Sequence, residues 1–403
     1  MRLTRIISVI GFSLLLLFSQ FALTADLERR QAKRIHDRLA GVPATNAVID
    51  AMETALLSDS SGKSAAAIAI QNPAFYNVTI KNFAAPWTNE EQSVFVPLND
   101  YSATVIGMVR DGEDFREILY GDIIYTGNNL PVYANSNNDH YQALEALGPV
   151  LGNLANPGIL QKQLQSTVTG LPVNATAGIV TSRAAARAFF PDGTNRAMFR
   201  FTLLNHLCTD LEPLKDISRV PDKVRQDVTR SPGGDSRIYM NNCVGCHAGM
   251  DGMAGAYAYY EYGYNADIEA GSLIYTQGNV QAKHLINPDN FKPGNIMTDD
   301  SWVNYWRNGQ NALLGWGHPG ETLDGKGNAI GNGARSLGIE LANTEAFAQC
   351  QVDKVFQAIC FRDANDYSAD RIERDTNMIP AFKSSGYDMK RVFTDVAAWC
   401  KGS

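Results

Sequence analysis

The sequence lacks the patterns that identify several large classes of protein. It contains no phosphate-binding loop, no dinucleotide-binding glycine fingerprint and no Ser-His-Asp pattern. No run of Lys or Arg occurs, and 35 basic residues are outnumbered by 42 acidic ones, which gives a formal net charge of -7. Because nucleic-acid binding needs a cationic face that contacts phosphates, we expect no nucleic-acid partner.

Long apolar runs are also scarce, since only one stretch is apolar enough to enter a membrane. Two arginines precede an apolar run from Ile6 to Phe21, and Ala-Leu-Thr-Ala at 22–25 supplies small residues before a polar segment. This order is typical of a secretory signal peptide, with cleavage after Ala25. An uncleaved anchor is the alternative, because the run approaches the shortest length of a membrane span. We expect a periplasmic or otherwise exported bacterial protein that does not span a membrane once the signal is removed.

The rest of the chain has mainly helical periodicity. Apolar residues recur at helical spacing over 27–57, with a break at Gly41-Val42-Pro43 after which Thr45 or Asn46 would cap a second helix. Strong helical patterns return at Glu345–Arg362, Tyr367–Met378 and Asp388–Cys400. Residues 263–294 and 315–333 are rich in Gly, Asn and Pro, and 231–234 (Ser-Pro-Gly-Gly) is the clearest linker signal. The fold class is therefore predicted to be mainly α.

The pattern with the most specific chemistry is Cys243-Val244-Gly245-Cys246-His247, a C-x-x-C-H motif. On one helical turn the thiols of Cys243 and Cys246 are spaced to bond the two vinyl groups of a porphyrin, and His247 can then ligate the iron. The motif predicts one covalently bound haem c per chain, with His247 as the proximal iron ligand. A redox dithiol and half of a zinc site are the alternatives.

The surrounding sequence favours haem over both alternatives. A redox dithiol usually follows a strand, and no strand pattern precedes Cys243. A zinc ribbon needs a second close cysteine pair, but the other four cysteines are scattered singly. An aromatic and Met-rich stretch from Met250 to Tyr264 follows the motif, and it could line a haem crevice or simply pack into the core.

The sixth iron position is less well defined by the sequence. Methionine from a downstream loop fills this position in many small cytochromes. Met297 lies in such a loop and is the first candidate, followed by Met378, His318 and His284. An open or water-occupied position is the other possibility. The remaining histidines show no metal-ligand spacing among themselves, so a second metal site is not expected.

The four cysteines outside the motif predict disulfide bonds, since exported proteins meet an oxidising environment. Four cysteines can pair in three ways. Cys350 and Cys360 are ten residues apart in one predicted helix, which separates them by about 15 Å at 1.5 Å per residue. Because a disulfide needs Cα atoms within about 7 Å, this pairing is disfavoured. Of the two arrangements that remain, we predict Cys208–Cys350 with Cys360–Cys400.

The chain resembles the planctomycete-type cytochrome c proteins, a bacterial group with helical domains of unknown role around a C-x-x-C-H. The similarity covers short segments along most of the chain, and residues 263–333 depart from the pattern. The resemblance implies haem binding and electron transfer, and it supplies no settled substrate. The segments that carry it are 32–45, 110–115, 120–125, 194–208, 246–251, 347–362 and 382–389.

These observations combine into one functional prediction. We expect a signal peptide (1–25), a helical N-terminal domain (26–215) and a loop-rich cytochrome c-like helical domain (216–403). The protein would carry single electrons between redox partner proteins in the periplasm. The alternatives are a peroxidase-like haem enzyme with an open sixth iron position, and a binding or scaffold module with an accessory haem.

Overall fold

The computed structural model describes residues 27–402 except 129, 192, 227, 229–234 and 286–293. The predicted signal peptide and the linker at 231–234 therefore lie outside the described residues. Within those residues, no helix combines the length and the apolar character needed to cross a bilayer.

The fold is mainly α, as the sequence predicts. The first helix described, α1, covers residues 27–40, and Thr45 caps α2 (Asn46–Ser58) by accepting a hydrogen bond from the backbone N–H of Val48. The longest helix described, α14 (Glu345–Cys360), is capped by Thr344 in the same way, through the backbone N–H of Phe347. The further α-helices are α2 (Asn46–Ser58), α3 (Lys63–Ala69), α4 (Lys81–Ala84), α5 (Asp100–Asp111), α6 (Asp139–Ala146), α7 (Gly148–Leu151), α8 (Gln165–Thr169), α9 (Arg183–Phe189), α10 (Arg196–His206), α11 (Ser236–Ile238), α12 (Val244–Ala254), α13 (Gly333–Ala342), α14 (Glu345–Cys360), α15 (Ser368–Glu373), α16 (Ile379–Ser384) and α17 (Met389–Trp399).

Short strands lie between the helices, and two of them, 272–275 and 329–332, fall within segments that the sequence predicts as loops. Each strand pairs with one partner in a two-stranded antiparallel sheet, and each is four residues long. Such small sheets are marginal alone and depend on packing against the helices. The pairs are β1 (Ile124–Gly127) with β2 (Leu160–Gln163), β3 (Tyr260–Gly263) with β4 (Ser272–Tyr275), and β5 (Ser301–Asn304) with β6 (Ala329–Asn332).

The buried core runs through both predicted domains. One contiguous apolar cluster extends from Ala32 in α1 to Cys400 after α17 and includes Met253 in α12. The C-terminal helix α17 packs against α3 and α14, and α12 packs against α10. The domain boundary at 215/216 stays a prediction, but the two sides share a core.

The cysteine pairing confirms the helix argument. Cys350 and Cys360 both lie in α14, while bonds join Cys208 to Cys350 and Cys360 to Cys400. The Cα atoms of the two pairs are 5.2 and 5.6 Å apart. Cys208 follows α10 in a left-handed backbone conformation (φ 52°), and its bond fixes the end of α10 to α14.

We predict unequal losses of stability when each disulfide is replaced by two alanines. The bonds span 142 and 40 residues, and chain-closure entropy corresponds to about 5 and about 4 kcal/mol for loops of those lengths. Removal of Cys208–Cys350 should therefore lower the free energy of unfolding by about 1 kcal/mol more than removal of Cys360–Cys400. Urea titration of the two variants measures the difference. An equal or opposite ranking would contradict the chain-closure account.

Candidate functional site

The C-x-x-C-H motif lies where a wide helical turn passes into a regular α-helix. Asp235 caps α11 through the backbone N–H of Arg237, a π-helical turn covers Tyr239–Cys243, and α12 begins at Val244. Isolated π-turns inside helices are frequent at functional sites. The spacing of three and four residues places Cys243, Cys246 and His247 on neighbouring positions of one helical side.

Glycines fix the other side of α12 against the core. A Cβ atom on Gly249 would lie 1.9 Å from the indole Nε1 of Trp306, and one on Gly252 would lie 2.8 Å from the carbonyl oxygen of Val303. Only glycine allows this close approach of the helix to β5 and the residues that follow it. The position of the motif is thus set by backbone packing behind it.

The two motif thiols are the only cysteines outside the disulfides. Both are half-buried, and the Cys246 thiol lies 3.6 Å from the carbonyl oxygen of Leu211. Burial raises the pKa of Cys246; Lys215 opposes this rise and Glu212 adds to it. A redox-active dithiol needs one thiol whose pKa is lowered, and the surroundings of Cys246 do not lower it.

The structure disfavours the zinc alternative. Each of the other four cysteines is committed to a disulfide. Within the described part of the chain, the only cluster with metal-ligand spacing involves neither Cys243 nor Cys246. A structural zinc ion would need four such ligands.

His247 is oriented by a carboxylate one turn further along α12. Its Nδ1 lies 3.2 Å from both carboxylate oxygens of Asp251. Because a carboxylate only accepts, Nδ1 carries a proton and donates the hydrogen bond, and in the neutral ring Nε2 presents a lone pair. A histidine whose second nitrogen donates to a carboxylate is the usual arrangement of a metal-binding imidazole. The His247 side chain remains 20% exposed.

Asp251 is a fully buried anion held by two arginines. Arg196 donates to its two oxygens from Nε at 2.7 Å and from Nη2 at 3.0 Å, and the backbone N–H of Arg225 donates at 3.2 Å. Burial alone would raise the pKa of Asp251, but Arg196, the His247 hydrogen bond and Arg225 hold it well below the usual range. The carboxylate is therefore charged whenever the protein is folded near neutral pH.

Arg225 connects Asp251 to two of the candidate distal ligands. Its buried guanidinium donates from Nη1 to His284 Nδ1 at 2.9 Å and to the Met297 sulfur at 3.7 Å. Nη2 donates to the carbonyl oxygen and the hydroxyl of Thr194. Since His284 Nδ1 accepts, its proton is on Nε2, and burial with the neighbouring Arg225 lowers the pKa of His284 to about 2.

The four predicted distal candidates lie in different places. Met297 and His284 are hydrogen-bonded to Arg225, and Met297 and Asp251 both line a cleft of about 520 Å³. Met378 lies in another cleft, together with Lys63 and Trp399. His318 faces Glu340, with Nε2 3.4 Å from Oε2. Met297 and His284 are thus the two candidates that described hydrogen bonds connect to Asp251 through Arg225.

The aromatic stretch after the motif is mostly core. Met253, Tyr257 and Tyr260 are at most 1% exposed, and Tyr264 is the exposed exception at 39%. Tyr260 stacks on Phe190 at a ring-centroid distance of 5.8 Å. The core-packing interpretation accounts for these residues.

Large apolar side chains are exposed beside the motif. Ile217 is 73% exposed, although it lies next to Gly245, where an added Cβ would be 3.3 Å from its Cγ2. Ile238 and Met240, just before the motif, are 46% and 56% exposed. We call Ile217, Ile238 and Met240 the motif patch. Such a group of exposed apolar side chains is typical of a surface that is covered in the functional state.

The comparisons with known proteins add no identification. No protein-family model, no curated protein and no solved structure matches this chain. The resemblance to the planctomycete-type cytochromes therefore stays a prediction that depends on the residues quoted for it.

Proposed function

We propose that the protein is a monohaem c-type cytochrome that carries single electrons between redox partner proteins. The observation that supports this most is the combination at α12. Cys243 and Cys246 are the only unpaired cysteines, and the adjacent His247 is held by Asp251 with its Nε2 available to a metal. Cys243 and Cys246 would form the thioether bonds, and His247 would be the proximal ligand. Bound haem supplies a one-electron ferric/ferrous couple.

The residues around the motif fit a haem. Charged groups of both signs surround the motif: Arg196 and Arg225 lie beside Asp251, and Lys215 and Glu212 lie near Cys246. The motif patch presents the apolar surface that a porphyrin would cover. These features belong to different segments of the chain, and they meet only at the motif.

Asp251 is the positioning residue in this proposal. Its buried charge holds the His247 ring in one orientation and makes Nε2 a stronger donor. A more basic imidazole stabilises ferric iron relative to ferrous iron. The pair Asp251–His247 would therefore keep the reduction potential lower than a neutral hydrogen-bond acceptor would.

The setting that we propose is the bacterial periplasm. Two disulfides and a signal-like N-terminal segment are compatible with export. The net charge of -7 would favour docking to partners with a basic face. The N-terminal helices would serve as a docking scaffold.

One observation favours a second candidate function, a peroxidase-like enzyme with an open sixth iron position. The Arg225 guanidinium contacts the Met297 sulfur and the Nδ1 of His284. If Met297 ligated the iron, its sulfur would have to leave the Arg225 guanidinium. His284 cannot ligate through Nε2 while that nitrogen carries the proton and Nδ1 accepts from Arg225. If these contacts persist, no distal ligand comes from either residue.

The first prediction tests covalent haem attachment. Protein matured together with the bacterial haem-attachment machinery should carry one haem per chain after denaturation and acid-acetone extraction, as measured by haem staining and the pyridine haemochrome spectrum. The variant Cys243→Ala/Cys246→Ala should carry none, because both thioether bonds are lost. The matched control Cys208→Ala/Cys350→Ala should keep its haem. A wild-type chain without covalent pigment would refute the proposed function.

The second prediction concerns Asp251→Asn. The neutral amide removes the negative charge beside His247, so the reduction potential should rise by roughly 60 mV, which corresponds to a tenfold change in a one-electron equilibrium. Spectroelectrochemical titration measures it. Asp50→Asn is the control, since Asp50 is exposed and pairs with Arg29 among the N-terminal helices. An unchanged potential in correctly folded Asp251→Asn would show that the carboxylate does not tune the iron.

The third prediction separates the two candidate functions. With Met297 as the distal ligand, the ferric protein shows the near-infrared band of methionine ligation, and Met297→Ala abolishes it. Met378→Ala, which alters a buried methionine in another cleft, should leave the band intact. A wild-type spectrum that is high-spin, lacks the band and shifts on addition of cyanide would favour the peroxidase-like enzyme.

A further inference from the structure

A second cluster of ligand-type side chains lies away from the C-x-x-C-H motif. His318 and Glu321 belong to the glycine-rich loop at 315–328, and Glu340 belongs to α13. One ligand atom from each of the three residues lies within 4.8 Å of the other two. Sequence inspection misses this cluster because the third residue is 19 positions beyond Glu321.

The hydrogen bonds of His318 determine which nitrogen faces the glutamates. Its Nδ1 lies 3.1 Å from the carbonyl oxygen of Pro319, which can only accept, so Nδ1 carries a proton. In the neutral ring Nε2 then presents a lone pair. That atom lies 3.4 Å from the Oε2 of Glu340. The lone pair of His318 Nε2 and the carboxylate oxygen Oε2 of Glu340 repel each other unless a positive charge lies between them, either a proton or a metal ion.

Glu340 supplies an independent sign of a missing partner. Its side chain is completely buried, and Oε1 accepts a hydrogen bond from the Asn304 amide at 2.8 Å. The other oxygen, Oε2, is buried and accepts no hydrogen bond from any residue that the structure describes. Leaving a buried carboxylate oxygen without a donor is costly, so such an atom usually has a cation as its partner.

Arg307 does not fill this role. It contacts Glu321 through Oε2 at 2.5 Å and Glu340 through Oε1 at 3.6 Å. The hydrogen bonds to Glu321, from Arg307 and from the backbone N–H of His318, both go to Oε2. Arg307 thus contacts one oxygen of each carboxylate. The other two oxygens, Glu321 Oε1 and Glu340 Oε2, remain as ligands for an ion. Two carboxylates and one guanidinium carry a net charge of one negative unit, which a cation can offset.

We propose that His318, Glu321 and Glu340 bind a divalent transition-metal ion of the Zn²⁺ type. One imidazole nitrogen and two carboxylate oxygens form a ligand set that zinc accepts, with water completing the tetrahedron. The Pro319 carbonyl and Arg307 act as outer partners that orient the ligands. This proposal uses His318 differently from distal haem ligation, and it does not depend on a bound haem.

The ion would connect the loop at 315–328 to helix α13. The loop contains Gly315, Gly317, Gly320 and Gly327, all with positive φ, and a segment so rich in glycine loses much conformational entropy when it orders. A metal bridge from His318 and Glu321 to the buried Glu340 offsets part of that cost. Metal binding should therefore protect this loop from proteolysis.

The test measures Zn²⁺ binding to the full-length, haem-loaded protein after treatment with a chelator. Isothermal titration should give one Zn²⁺ per chain. His318→Gln and Glu340→Gln should each weaken binding at least tenfold, whereas the control Glu345→Gln should not, because Glu345 is exposed and pairs with Lys383. Glu321→Gln, at a partly exposed position, serves as a third variant if Glu340→Gln does not fold.

Failure of this proposal can be distinguished from failure of the haem proposal. The chain with Cys243→Ala/Cys246→Ala carries neither haem nor motif thiols and should still bind one Zn²⁺. Absence of saturable binding in the wild type would overturn the metal site and would indicate that a proton on His318 partners Glu340. Binding that survives all three ligand substitutions would overturn it as well.

Discussion

The orientation of His247 in the motif depends on its hydrogen bond to the buried carboxylate of Asp251. This carboxylate receives hydrogen bonds from the Arg196 side chain in α10, from the backbone of Arg225 and from His247 on its own helix. Removing a charge from water is expensive unless it is paired and fully hydrogen-bonded. Asp251 meets that condition only when the three segments are assembled. The orientation of His247 is therefore coupled to the tertiary fold.

The mainly α fold and the C-x-x-C-H motif could be predicted from sequence because they depend on local spacing, whereas local spacing only narrows the three possible disulfide pairings to two. The Cys350/Cys360 separation within one helix excludes their direct pairing by distance alone. Asp251 is four residues from His247 and could have been found by the same helical rule. Arg196 and Arg225 are 55 and 26 residues from Asp251, and no local pattern predicts those contacts.

Two further features escaped sequence reasoning for other physical reasons. The strands Tyr260–Gly263 and Ser272–Tyr275 lie in or beside a segment that reads as loop, because four-residue strands have little periodicity and are stabilised by packing. Glu340 lies between Leu337 and Leu341 on the buried side of α13. A charged residue on the buried face of a helix is a signal for a partner, but the sequence does not show where that partner lies.

The division of the six cysteines has a consequence for the order of maturation. Six free thiols can pair in fifteen ways, whereas four can pair in three. If haem attachment consumes Cys243 and Cys246 before the remaining thiols are oxidised, most wrong connectivities are never available. If the proposed function is correct, thioether formation would thus limit which disulfide bonds can form during folding. Oxidation that ran ahead of haem attachment would trap chains in non-native disulfides, and the yield of native protein would depend on the relative rates of the two reactions.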